Sequence, residues 1–118
     1  MNTNLQIATE AKMILIKVCN ATDTNIEDVL SVSRKRELVE ARFIAVDMVW
    51  EKMKKDFSGA NVGSWFFPGS KVSPHAMVVY ATKRVSEWLE TNKEFRGKYF
   101  MCRNLVFETL NFDAIPQF

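Results

Sequence analysis

From Leu38 to Met53 the apolar residues Leu38, Ala41, Ile44, Ala45, Met48, Val49 and Met53 return at intervals of three and four, and no Gly or Pro interrupts the chain until Gly59. A strand would need alternation with period two. A period near 3.6 places these side chains on one face of a helix. The stretch Glu37 to Phe57 is therefore predicted as one long amphipathic helix with its apolar stripe turned toward a core. What covers that stripe is constrained by punctuation: only four glycines and three prolines occur in 118 residues. A sandwich or barrel needs many more turns than that, so the covering elements are expected to be helices.

The other segments agree. Leu5 to Asn20 carries Leu5, Ala8, Ala11, Met13, Leu15, Ile16 and Cys19 at roughly helical spacing. Thr24-Asn25-Ile26-Glu27 has the form of a capping box and predicts a short helix from Asn25 to about Ser31, with Ile26, Val29 and Leu30 inward. Ser58-Gly59-Ala60-Asn61 breaks the long helix. Val62 to Phe67 reads as a short helix offering Trp65 and Phe66 to the core, and Pro68-Gly69-Ser70 as a turn. Ser73-Pro74 reads as an N-cap followed by proline at the first helical position. The helix it opens runs to about Thr91 and buries Val78, Val79, Ala81, Val85, Trp88 and Leu89. Thr91-Asn92-Lys93-Glu94 repeats the capping-box form. The last helix, from about Asn92, buries Phe95, Tyr99, Phe100, Val106, Phe107 and Leu110, and the tail Asn111 to Phe118 ends it, with Pro116 as a stop. The expected fold is all-α: one domain over residues 1–118, with five to six helices around one core.

Composition narrows the function. The chain is 47% apolar and 25% charged, as in a soluble globular domain. No stretch approaches the ~20 apolar residues of a membrane span. Met13-Ile14-Leu15-Ile16 is too short for a signal sequence, so the cytoplasm is the expected compartment and no membrane partner is expected. Cys19 and Cys102 both fall in apolar-periodic segments and are expected as reduced core thiols. A metal site would need clustered cysteines with histidine support, but His75 is the sole histidine. No nucleophile has a matching base and no Gly-rich phosphate loop occurs, so neither an enzyme nor a cofactor is expected.

Net charge is only +2, so the distribution of cations matters more than their sum. They cluster at Arg34, Lys35 and Arg36, at Lys52, Lys54 and Lys55, at Lys83 and Arg84, and at Lys93, Arg96, Lys98 and Arg103. The first cluster falls in the turn that feeds the long helix. Arginine suits bidentate phosphate recognition, and a helix N-terminus adds N–H donors. Glu37 and Glu40 follow at once, however, and a solvated charge run capped by its own carboxylates fits the spacing as well. The second constellation is the helix, turn and helix from Val62 to Thr91. Such a unit can lay its second helix in a major groove, with Ser70, Lys71, Ser73, His75 and Met77 near base edges. Helix pairs of this kind also occur in proteins that bind no DNA. His75 fits a surface or capping role as well as a base contact. Trp65, Phe66 and Phe67 could stack bases, but fit core packing better.

The order of these pieces resembles the C-terminal duplex-binding domain of the replication initiator DnaA, a Trp-repressor-like helical fold. The likeness is carried by Ile26-Glu27-Asp28-Val29-Leu30, Ser33-Arg34-Lys35-Arg36, Val39-Glu40-Ala41-Arg42 and Ile44-Ala45. It resumes at Val62-Gly63, Phe66, His75 and Val78-Val79-Tyr80-Ala81, and ends in Leu89 to Tyr99, covering about residues 5–100. The resemblance implies that Arg34, Lys35 and Arg36 form a basic loop, with Arg36 at the position that enters the minor groove. It places Arg42 at a phosphate- or core-facing position and His75 at the base-contacting histidine. Where the family has Arg-Asp before that histidine and two threonines after it, this chain has Ser73-Pro74 and Ala76-Met77. Its turn is also about four residues longer. The resemblance thus implies a non-enzymatic double-stranded DNA-binding module acting in replication initiation or its regulation, in a phage or mobile-element setting. Arg34, Lys35, Arg36, Arg42, Lys71, Ser73 and His75 are its expected DNA-binding residues, with base reading weak or altered. The competing expectation is a protein-interaction module that kept the fold and lost sequence-specific DNA binding.

Overall fold

The computed structural model describes residues 7–107. Six helices and no strands occur among them: α1 (Thr9–Thr22), α2 (Ile26–Val29), α3 (Arg36–Met53), α4 (Gly59–Phe66), α5 (Pro74–Thr91) and α6 (Lys93–Val106). The all-α expectation holds. Leu5, Leu110 and the tail with Pro116 lie outside the described residues.

α3 is the axis of the fold. It packs against α1, α2, α4, α5 and α6. The spacing predicted an amphipathic helix, but Glu40, Arg42, Phe43 and Val46 are buried along with the predicted stripe. A helix surrounded by neighbours buries nearly its whole circumference, which periodicity within α3 alone does not reveal. It also ends at Met53 rather than Phe57. The chain then turns, with the N–H groups of Asp56 and Phe57 both reaching the Met53 carbonyl at 3.0 Å.

Helix starts follow local chemistry, with the caps displaced by one residue in two places. Asn25, not Thr24, caps α2: its Oδ1 accepts from the Glu27 N–H at 2.8 Å. The Thr24 hydroxyl instead pairs with that of Thr22 at 2.8 Å. Asn92, not Thr91, caps α6 by accepting from the Phe95 N–H at 3.0 Å. Thr91 still belongs to α5 and donates back to the Glu87 carbonyl at 2.9 Å. In both places the asparagine has the extended conformation that an N-cap requires. Ser58 and Asn61, expected only to interrupt the long helix, form a reciprocal capping box that starts α4 three residues earlier than expected.

Two predicted core residues face out. Val79 is 52% exposed and Phe100 49%. The buried face of α5 is Val78, Ala81 and Val85, and that of α6 is Phe95, Tyr99, Cys102 and Val106. Val79 and Phe100 each follow a buried residue directly, about 100° further round the helix. Cys19 and Cys102 are free and buried. Burial pushes both thiols up, that of Cys102 to about 11, which suppresses the reactive thiolate. Among the described residues no helix is long and apolar enough to cross a membrane.

Candidate nucleic-acid interface

The basic loop is residues 30–35, between α2 and α3. Serine hydroxyls fold it locally. Ser31 donates to the Asp28 carbonyl at 2.6 Å and accepts from the Ser33 N–H at 3.2 Å, and Ser33 accepts from the Lys35 N–H at 3.2 Å. Arg42 supplies the long-range hold. It is 7% exposed, and its Nε donates to the Val29 carbonyl at 2.6 Å while Nη2 donates to the Ser33 carbonyl at 3.0 Å. One planar guanidinium thus ties the end of α2 and the middle of the loop to α3. Of the two roles open to Arg42, its hydrogen bonds show the core-facing one. A side chain spent on two backbone carbonyls sets the loop's shape from beneath.

Arg34, Lys35 and Arg36 are exposed to solvent. Lys35 is the N-cap residue of α3 and offers no side-chain cap, so the free N–H groups of the first turn lie beside three cations. That combination favours an anion. Arg36 carries one internal contact, Nε to Glu40 Oε2 at 3.1 Å. Several cations of the other clusters pair inside the molecule. Arg103 grips Glu51 through two nitrogens at 2.9 and 2.8 Å, Arg96 Nε donates to the Leu89 carbonyl at 2.8 Å, and Arg84 pairs with Glu87 at 3.0 Å. Arg34 and Lys35 form no ion pair with another described residue.

The second half is α4, the turn over residues 67–73, and α5. Two glycines bring the helices together. A Cβ on Gly63 would collide with the Pro74 backbone carbonyl, and one on Gly59 with the His75 imidazole. Only backbone without side chains allows the first turn of α5 to lie so close across α4. His75 is exposed beside Gly59, Lys71 is exposed on the turn, and Ser73 is spent as the cap of α5, accepting from the Ala76 N–H at 3.2 Å. Phe43 of α3 anchors the unit. Its ring meets Phe67 edge-on at 6.0 Å and Tyr80 at 5.9 Å, and stacks on Trp88 at 5.7 Å. Phe66 is fully buried and Trp65 packs on Phe57 at 5.1 Å, so this aromatic group serves the core.

The two halves meet. A cleft of about 110 Å³ is lined by Ser31, Val32 and Arg42 on one side and by Phe67, Gly69 and Ser70 on the other. The basic loop and the helix-turn-helix turn are therefore neighbours on one surface, although some thirty residues separate them in sequence. Glu40 and Lys98 were not among the expected site residues. Glu40 is visible as an i,i+4 partner of Arg36, but no local signal links Lys98 to Glu40, 58 residues away.

Over 93 residues the chain is 40% identical to the chromosomal replication initiator protein DnaA of Bacteroides thetaiotaomicron, and over 84 residues it is 39% identical to DnaA of Bacteroides fragilis. The chain resembles part of DnaA. The alignments cover 79% and 71% of this chain but only 18% and 16% of those DnaA proteins, so it spans less than a fifth of the relatives it matches. No family model matches the chain, and no solved structure matches it.

Proposed function

We propose that this DnaA-like chain is a non-enzymatic module for double-stranded DNA, acting in replication initiation or its regulation. The observation that carries the reading is the shared cleft. It brings Ser31 and Val32 of the loop beside the turn that precedes α5, and the cations that follow them, Arg34, Lys35 and Arg36, are exposed. In that arrangement α5 lies toward a major groove while Arg34 and Lys35 follow the adjoining backbone. Arg36 is the residue we assign to the minor groove. Most of the affinity comes from phosphate contact, which is independent of sequence.

Base reading is the reduced part of the site. Lys71 and His75 are exposed and able to donate, but Ser73 is engaged in its cap, and Ala76 and Met77 offer only apolar contact. A second reading, a protein-interaction module, draws support from Val72, Val79 and Tyr80, which expose apolar surface near the same turn.

Fluorescence anisotropy with duplex DNA over a salt series separates the two. Binding at about 50 mM salt is expected, with a slope of log K against log salt that falls by about 0.9 for each phosphate contact removed. Changing Arg34, Lys35 and Arg36 together to Ala should flatten that slope while leaving the thermal midpoint unchanged. No binding at low salt, or no loss in the triple variant, would falsify the DNA reading. A protein partner recovered by pull-down after nuclease treatment would favour the second.

A further inference from the structure

Among the described residues two charged side chains are buried, Glu40 and Arg42. Arg42 holds the basic loop from below. Glu40 sits one turn into α3 and touches Arg36, the cation at the start of that helix. Its Oε2 accepts from Arg36 Nε at 3.1 Å, and its Oε1 accepts from Lys98 Nζ of α6 at 2.6 Å. The carboxylate side chain is 9% exposed, while Arg36 is 75% exposed.

The division of oxygens matters. A guanidinium facing a free carboxylate closes on both oxygens with two parallel hydrogen bonds. Here Lys98 occupies Oε1, so Arg36 is held through Nε alone. Its Nη edge makes no hydrogen bond to another described residue. The carboxylate is buried on a helix packed on several sides, and its charge is compensated by Lys98. An arginine this exposed would otherwise sample many rotamers and lose them on binding.

We infer that Glu40 is a positioning residue for Arg36, and that Lys98 keeps Glu40 from capturing the whole guanidinium. Together they aim the Nη edge of Arg36 outward, toward the minor groove assigned to it. The inference rests on the reading of the basic loop as a duplex contact. It predicts a sign opposite to that of simple charge. A carboxylate beside a polyanion, acting through its charge alone, weakens binding, and its removal strengthens it. A carboxylate that positions a cation does the reverse.

A mutant cycle read by anisotropy on one duplex decides the matter. Glu40→Ala and Lys98→Met are each made in the wild-type chain and in an Arg36→Ala background. In the wild-type chain each should lower affinity roughly fivefold and reduce the salt dependence, as the loss of one positioned cation requires. In the Arg36→Ala background neither should change anything further. Should Glu40→Ala fail to fold by circular dichroism, the isosteric Glu40→Gln carries the same cycle, with a smaller loss that again depends on Arg36. Tighter binding by either Glu40 variant overturns the inference, as does an equal loss in both backgrounds. If Arg36→Ala weakens binding while the Glu40 variants do not, this inference alone falls. If Arg36→Ala itself leaves binding unchanged, the reading of the loop falls with it.

Discussion

The Arg42 guanidinium donates to the Val29 carbonyl at 2.6 Å from a site that is almost fully buried, and the same group reaches the Ser33 carbonyl at 3.0 Å. A cation with two ways to be used, on a phosphate or on the protein's own backbone, is here committed to the backbone. The exposed cations before it depend on that commitment for their position.

Replacing Arg42 with Met should therefore act on stability first. Two carbonyls lose a charged donor, one of them buried, at a cost of roughly 3 kcal/mol. Arg42→Lys should recover little, since a single ammonium cannot reproduce the fork that spans both carbonyls. Urea denaturation of the three proteins tests this. A midpoint for Arg42→Met equal to wild type would show that the clasp contributes nothing.

The glycines separate by surroundings. Gly63→Ala forces a methyl into the Pro74 backbone carbonyl, and backbone cannot rotate aside as a side chain can. A loss of about 2 kcal/mol is expected, together with a disturbed start of α5. Gly97 lies inside α6 with open space around it, so Gly97→Ala should gain about 1 kcal/mol from helix propensity. Thermal melts of the pair should move in opposite directions; movement in the same direction would contradict the packing described for α4 and α5.

The contact between α3 and α6 should be sensitive to alkali. Tyr99 donates to Asp47 Oδ2 at 3.0 Å. Burial, and next the neighbouring Asp47 carboxylate, push its phenol up from 10.0 to about 12. The folded state then keeps a proton that the unfolded chain releases near pH 10. The stability linked to this group is whole below pH 10 and is lost as the pH rises from about 10 to about 12. Tyr99→Phe removes the hydrogen bond, so it should be less stable at neutral pH, yet its alkaline limb should be shallower. Denaturant midpoints followed from pH 8 to 12 give both slopes, and parallel curves would exclude Tyr99 as the group responsible.

Much of the fold was legible because it rests on neighbouring residues. The spacing from Leu38 to Met53 predicted α3, Ser73-Pro74 marked the start of α5, and Pro68-Gly69 its preceding turn. Where a helix start was shifted by one residue, as at Asn25 and Asn92, two adjacent side chains were each able to cap, and backbone conformation chose between them. Val79 and Phe100 were misplaced because a run of adjacent apolar residues, such as Val78-Val79 or Tyr99-Phe100, does not say which one faces the core. The candidate site divides the same way. The cations at 34–36 were legible as a cluster, but the meeting of Ser31 and Val32, just before them, with the turn before α5 was decided by packing.

The sequence by itself determined that this chain is helical and where its charges are concentrated, because periodicity, caps and breakers act within a few residues. The tertiary structure alone decided which charges remain outward. Arg36 and Arg42 are six residues apart on one helix, so they lie on different faces. The fold turned one face into the core, against the Val29 and Ser33 carbonyls, and left the other beside Glu40 and Lys98 in solvent. Burial and long-range hydrogen bonding are properties of packed elements, and no local pattern contains them.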